Sequence, residues 1–133
     1  MSNWRDVRTY METGEGIKSI PEGMEVYPVV GVSFVPGYPN NIHNIRIAMA
    51  TLEEEIPVNL VRNPDNKYDS NAIEVRSLGG MLGHLPREVA AQLAPLIDAG
   101  KKYKATIYQV RVSPENSANP GMDILIGEEK CIT

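Results

Sequence analysis

Proline and glycine interrupt this chain too often for it to be built from long helices. Ten prolines and eleven glycines fall among 133 residues. Proline removes a backbone donor and glycine supplies turn conformations, so short elements joined by frequent turns follow. The length suits one domain of ordinary size, able to bury a core without disulfides or metals. Between the interruptions the runs are mostly β-type. Residues 25–35, Glu-Val-Tyr-Pro-Val-Val-Gly-Val-Ser-Phe-Val, read as a strand, with Gly31 marking a bulge or a close backbone approach. Ile56, Val58 and Leu60 alternate with Pro57, Asn59 and Val61, a strand with one buried face. Ala72 to Arg76 and Met81 to Gly83 are two more, joined by Leu78-Gly79-Gly80. Lys102 to Val112 is a long strand, Ser113 to Pro120 a polar loop, and Met122 to Gly127 a last strand.

Helical signals are short. Asn40 or Asn41 caps a helix to about Ala50, with Ile42, Ile45 and Met49 on one face. Pro86 opens a second helix whose Val89, Leu93, Leu96 and Ile97 share a face and whose stop is Gly100. Pro95 inside it predicts a kink or a split. Trp4, Val7 and Met11 fit a short amphipathic helix in an N-terminal arm, residues 1–24, ahead of a domain at 25–127 and a tail at 128–133. About six strands with two or three short helices exclude a doubly wound α/β sheet. They predict a mainly β (α+β) fold, a small closed or partly open barrel.

Charge and residue types narrow the function classes. Thirteen basic against 17 acidic residues give a net charge of −4. That disfavours extended binding along a phosphate backbone, while leaving room for a pocket touching two or three phosphates. The single cysteine, Cys131, forms no internal disulfide. No apolar run reaches the ~20 residues that cross a bilayer, and the N-terminus lacks a signal-peptide core. A cytoplasmic protein is expected, or a nuclear one in a eukaryote, with no membrane partner. There is no Gly-Lys-Ser or Gly-Lys-Thr phosphate loop. His43 and His84, the only histidines, stand far apart in the chain. Glu53-Glu54-Glu55 reads as a solvated turn. No metal, no cofactor and no catalytic group are expected.

The least ordinary segment is Arg62-Asn63-Pro64-Asp65-Asn66-Lys67-Tyr68-Asp69-Ser70-Asn71-Ala72-Ile73-Glu74-Val75. Asn and Asp side chains bond to nearby backbone and tolerate left-handed conformations, so an elaborate turn is one reading. The pattern Asn66-x-Tyr68-Asp69-x-Asn71-Ala72-Ile73-x-Val75 is followed by Leu82-Gly83-His84-Leu85-Pro86-Arg87. Together with Val29-Val30-Gly31-Val32-Ser33-Phe34 and the helix Glu88 to Asp98, it resembles the HIRAN domain from about Val29 to Val112.

That resemblance implies an OB-like barrel. It also implies capture of single-stranded DNA at its 3′-hydroxyl end, in DNA repair or replication-related processes. Relatives of this kind are fused to helicase-like and ubiquitin-ligase proteins or stand alone in bacteria and phages, so a helicase or nuclease partner is implied. By the same resemblance Phe34 and Tyr68 stack terminal bases, while Asn66 and Asp69 line the end pocket. His84 and Arg87 lie near the strand's backbone. Each position keeps a plainer alternative: core packing for Phe34, turn capping for Asp69, a structural place for His84. Ser33 departs from the pattern, since the best understood member has a phosphate-contacting basic residue there. One lost charged contact costs ~1.5–3 kcal/mol, and Lys101-Lys102-Tyr103-Lys104 is a candidate to compensate. Rival readings are a protein-interaction or assembly module that keeps the barrel, and a divergent metal-dependent nuclease.

Overall fold

The computed structural model describes residues 19–52 and 54–129. The N-terminal helix expected at Trp4, Val7 and Met11 lies outside the described residues, as does Cys131. Among the described residues there are six strands: β1 (Met24–Pro28), β2 (Pro57–Arg62), β3 (Ile73–Ser77), β4 (Gly80–His84), β5 (Tyr103–Ser113) and β6 (Asn116–Glu128). Two helices accompany them, α1 (Asn40–Leu52) and α2 (Arg87–Asp98), with one 3-10 turn at Val32–Phe34. The strands pair antiparallel in the order β1-β6-β5-β2-β3-β4. β2 is the corner. Pro57 and Val58 pair with β5, and Asn59 to Arg62 pair with β3.

This curled sheet is a half-barrel, and the chain just past β1 joins its two edges. Val29 donates its N–H to the Met122 carbonyl of β6 at 2.9 Å. Val30 exchanges both backbone bonds with His84 of β4, at 2.8 and 2.9 Å. The single strand expected over 25–35 is therefore wrong. Gly31 takes a left-handed conformation (φ 72°), which turns the chain out of the ladder into the 3-10 turn carrying Phe34. The seam also explains Gly83, where a Cβ would stand 2.5 Å from the Val30 carbonyl oxygen.

Strand alternation sorts the core into two parts. Ile73, Val75, Met122 and Ile124 are fully buried among Val58, Leu82, Ile107 and Val110 inside the barrel. Val26, Tyr108 and Leu125 form a smaller cluster on the other face, covered by Ile20 and Met24. Tyr108 alternates with the inward Ile107 and so lies on that outer face, and a register shift between Ile107 and Gln109 returns Val110 to the inside. Each buried aliphatic side chain contributes ~1.5–3 kcal/mol to this packing.

Three further expectations are corrected. Ser113 to Pro120 is not a loop. Ser113 pairs with Asn116, leaving a tight turn at Pro114-Glu115, and β6 carries on through a buried Pro120 whose carbonyl accepts the Tyr38 hydroxyl at 2.8 Å. Proline fits the second position of such a turn, and its fixed φ favours the reversal. Of the kink or split expected at Pro95, the split is absent, for α2 runs unbroken from Arg87 to Asp98. The bond that Pro95 forgoes is to the carbonyl of the exposed Ala91, which water can satisfy. Leu96 is 40% exposed, and α2 instead buries Val89, Ala90 and Ala94, whose small side chains let the helix lie close to the sheet. No described helix is long and apolar enough to cross a membrane.

Candidate nucleic-acid interface

The loop between β2 and β3 is held by its own polar side chains. Asn66 Oδ1 accepts the backbone N–H groups of Tyr68 and Asp69, at 2.9 and 3.1 Å. Asp69 Oδ1 accepts the N–H of Asn71 at 2.9 Å, and the Asp69 carbonyl accepts that of Ala72 at 3.0 Å. Asn63 donates backbone N–H to the Ala72 carbonyl at 3.0 Å and its side-chain amide to Glu74 at 3.1 Å. Local bonds of this kind are what short polar side chains do best, and they need no partner from outside the loop. Turn capping by Asp69 is thus real, and it uses one carboxylate oxygen. The other faces Arg87 Nε at 4.0 Å.

Arg62 anchors the loop from below. Its Nε and Nη2 donate to both carboxylate oxygens of Asp98, at 2.9 and 3.0 Å, and its Nη1 donates to the Ala72 carbonyl at 2.9 Å. A forked pair of this geometry fixes both partners. It ties the start of the loop to the end of α2. The hydrogen bond from Arg62 holds the Asp98 carboxyl below its ordinary pKa, with charge attraction adding to it. A carboxylate lowered in this way stabilises the fold above its unfolded pKa of about 3.9, and loses that effect as pH falls through the folded value. Asp98→Asn is therefore expected to be less stable than the native chain at pH 7, with the gap closing below about pH 4. Urea unfolding at pH 7 and pH 3 measures it.

The expected site residues fall in two groups. Asn66, Tyr68, Asp69 and Arg87 belong to the loop and the start of α2. Phe34 and His84 belong to the seam, where His84 bridges Val30 and the 3-10 turn packs on β4. The short turn from His84 to Arg87 joins the groups. Core packing of Phe34 is excluded, for the only phenylalanine is 89% exposed. Tyr68 is 77% exposed. Two large aromatic faces in water cost solvation unless something covers them. His84 is half-buried and its backbone serves the seam. Ser33 is exposed beside Phe34.

The basic residues divide unevenly. Lys101 pairs with Glu128 at 3.2 Å and Lys104 with Glu55 at 3.5 Å, so two of the three lysines of that cluster already face an acid. Lys67 does not face an acid in this way: its ammonium lies 5.2 Å from the centroid of the Tyr68 ring. Sequence reading passed over Lys67 as an unspecified position within the motif. A cation adjacent to an exposed aromatic was the available signal. Among the described residues, no three His, Cys, Asp or Glu side chains converge as metal ligands.

Comparison with known proteins places this geometry. The family model described as the HIRAN domain matches residues 23–126. The helicase-like transcription factor of Homo sapiens is 33% identical over 90 residues, 67% of this chain and 8% of that protein. A Fanconi-associated nuclease 1 homolog of Oryza sativa subsp. japonica is 47% identical over 51 residues, 35% of this chain and 5% of that protein. The chain thus spans less than a tenth of the length of these curated relatives. The crystal structure of the HIRAN domain of human HLTF matches with a TM-score of 0.56 and 26% identity, over 80% of this chain and 74% of that one. The HLTF HIRAN domain in its DNA-bound conformation, solved by NMR, has a TM-score of 0.47 and 28% identity, over 88% of this chain and 85% of that one.

Proposed function

The chain belongs to the HIRAN domain family, and from that premise we propose that it is a non-catalytic module binding single-stranded DNA, preferentially at a 3′-hydroxyl end. The observation that carries the reading is the pair of exposed aromatics, Phe34 and Tyr68, each on a turn whose backbone is fixed independently of the ring. Every base has a π-face, so such rings bind strands with little regard to sequence. Asn66 and Asp69 set the end pocket. The Asp69 oxygen not used on Asn71 accepts the proton of a terminal hydroxyl, whereas a terminal phosphate meets its negative charge. Arg87 is 79% exposed at the start of α2, where a guanidinium and free backbone N–H groups together suit a phosphate. His84 donates to the same backbone. The module supplies end recognition to helicase or nuclease machinery, the activities that the relatives' names carry.

A protein-interaction role has one observation in its favour. A cleft of about 590 Å³ opens between α1 and the β3–β4 hairpin, lined by Val35, Ile45, Ile56 and Met81, with Leu78 wholly exposed at its rim. Fluorescence anisotropy decides between the roles. A single-stranded oligonucleotide with a free 3′-hydroxyl is expected to bind at least about fivefold tighter than the same strand ending in 3′-phosphate or closed into a circle. Equal binding of all three, or none, sinks end capture and favours the protein-interaction role.

A further inference from the structure

The site lacks a basic side chain at Ser33, and the overall charge of −4 offers no general attraction for DNA. Three of the cations are already committed, while Arg87 stays exposed at the site. Arg62 is held by Asp98 and the Ala72 carbonyl, Lys101 by Glu128, and Lys104 by Glu55. Lys67 stands differently. It is exposed, it immediately precedes the aromatic residue of the loop, and its ammonium lies 5.2 Å from that ring's centroid. Asn66 pins the backbone directly after Lys67 through two bonds, so the root of the side chain is fixed while its end is free to move.

We infer that Lys67 is the phosphate contact that replaces the missing cation at Ser33, moving from the Tyr68 ring to the DNA backbone when a base stacks on that ring. This rests on the single-stranded DNA reading of the same site. The geometry gives the exchange. Stacked rings lie ~4.5–7 Å apart between centroids, the same shell that the ammonium occupies in the free protein. Base stacking on an aromatic is stronger than a cation–π contact at an exposed site, so the base takes the face. The displaced ammonium is then beside the sugar-phosphate of the nucleotide that displaced it. A flexible four-carbon stem with a compact charge suits such a move better than a rigid fork. In the free protein the same ammonium sits against the ring, so the attractive charge is already at the stacking surface before DNA arrives.

The test is the salt dependence of binding to a 3′-hydroxyl oligonucleotide. For a single strand the slope of log K against log salt changes by ~0.7 for each phosphate contact. Lys67→Gln is expected to lower the slope by about that amount and to weaken binding roughly tenfold at low salt. Lys67→Arg is expected to keep the slope. Discrimination between 3′-hydroxyl and 3′-phosphate stays unchanged in both, because Asp69 sets it. If the native chain shows end-selective binding and Lys67→Gln has the native slope, the inference falls and the DNA reading stands. If the native chain binds no single-stranded DNA, both fall together.

Discussion

Tyr68→Ala is expected to weaken binding of a 3′-hydroxyl oligonucleotide by about 5- to 150-fold, the loss of one base–aromatic stack of ~1–3 kcal/mol. The effect should be confined to binding. The ring is 77% exposed, and the turn beneath it is made by Asn66 Oδ1 and backbone N–H groups that alanine retains. The unfolding midpoint should therefore stay within the range of an ordinary surface substitution, about 0.5 kcal/mol. Tyr68→Phe keeps the π-face and should bind nearly as well as the native chain. If it binds as poorly as the alanine variant, the hydroxyl and not the ring is what DNA uses. Anisotropy titrations of the three proteins at one salt concentration, with circular dichroism melts alongside, measure both halves.

Gly83→Ala should do the opposite, damaging the fold first and the site as a consequence. The added Cβ would lie 2.5 Å from the Val30 carbonyl oxygen and 2.7 Å from Val29 Cγ1. Neither neighbour is a loose side-chain end. The oxygen is backbone that accepts the His84 N–H at 2.9 Å, and Val29 is a buried core residue. The seam must open, which combines overpacking of ~1–3 kcal/mol with up to two strained bonds of ~1 kcal/mol each. A net loss of about 2–4 kcal/mol corresponds to a melting point lower by roughly 8–16 °C. The 3-10 turn carrying Phe34 begins two residues past Val30, so DNA binding should fall as well. Gly79→Ala on the same hairpin is the control, since its nearest contact for a Cβ is the Ser77 hydroxyl at 3.8 Å. A melting point for Gly83→Ala equal to that control would mean that the seam does not hold the barrel together.

Strand periodicity revealed most of the elements because each has a single buried face. β2 at Pro57–Arg62, β3 at Ile73–Ser77 and the helix from Asn40 lie within a residue or two of the expected Ile56 to Val61, Ala72 to Arg76 and helix to about Ala50. The errors arose where local signals compete with distant partners. Val32-Ser33-Phe34 has strong strand propensity, yet Gly31 turns it away once the preceding residues are claimed by β4 and β6. The polar run after Ser113 reads as a loop until Met122 to Gly127 is paired with β5, which draws the residues before it into the ladder. Leu96 looked like core because helical spacing gives a face without saying how wide the contact is. The two buried alanines mark its true centre.

The candidate site was legible in the same uneven way. Asn66, Tyr68, Asp69, His84 and Arg87 are named through the motif's resemblance to the HIRAN domain, whereas the residues alone read as an elaborate turn. Phe34 could not be assigned between core and surface, because an aromatic in an apolar run fits both. Its exposure depends on Gly31 and on the Val30–His84 bridge, whose partners are far apart in the chain. Lys67 could not be distinguished from other surface lysines until its ammonium was found over the ring.

By itself, then, the sequence determined the short strands and the polar loop, because these rest on local spacing and on turn chemistry that short side chains complete within a few residues, and the resemblance of its motifs pointed to the family. Only the tertiary structure decided which aromatics face solvent, which cations are already paired and where the barrel closes. Those outcomes depend on long-range backbone partners competing for the same donors and acceptors, and local pattern carries no record of which partner wins.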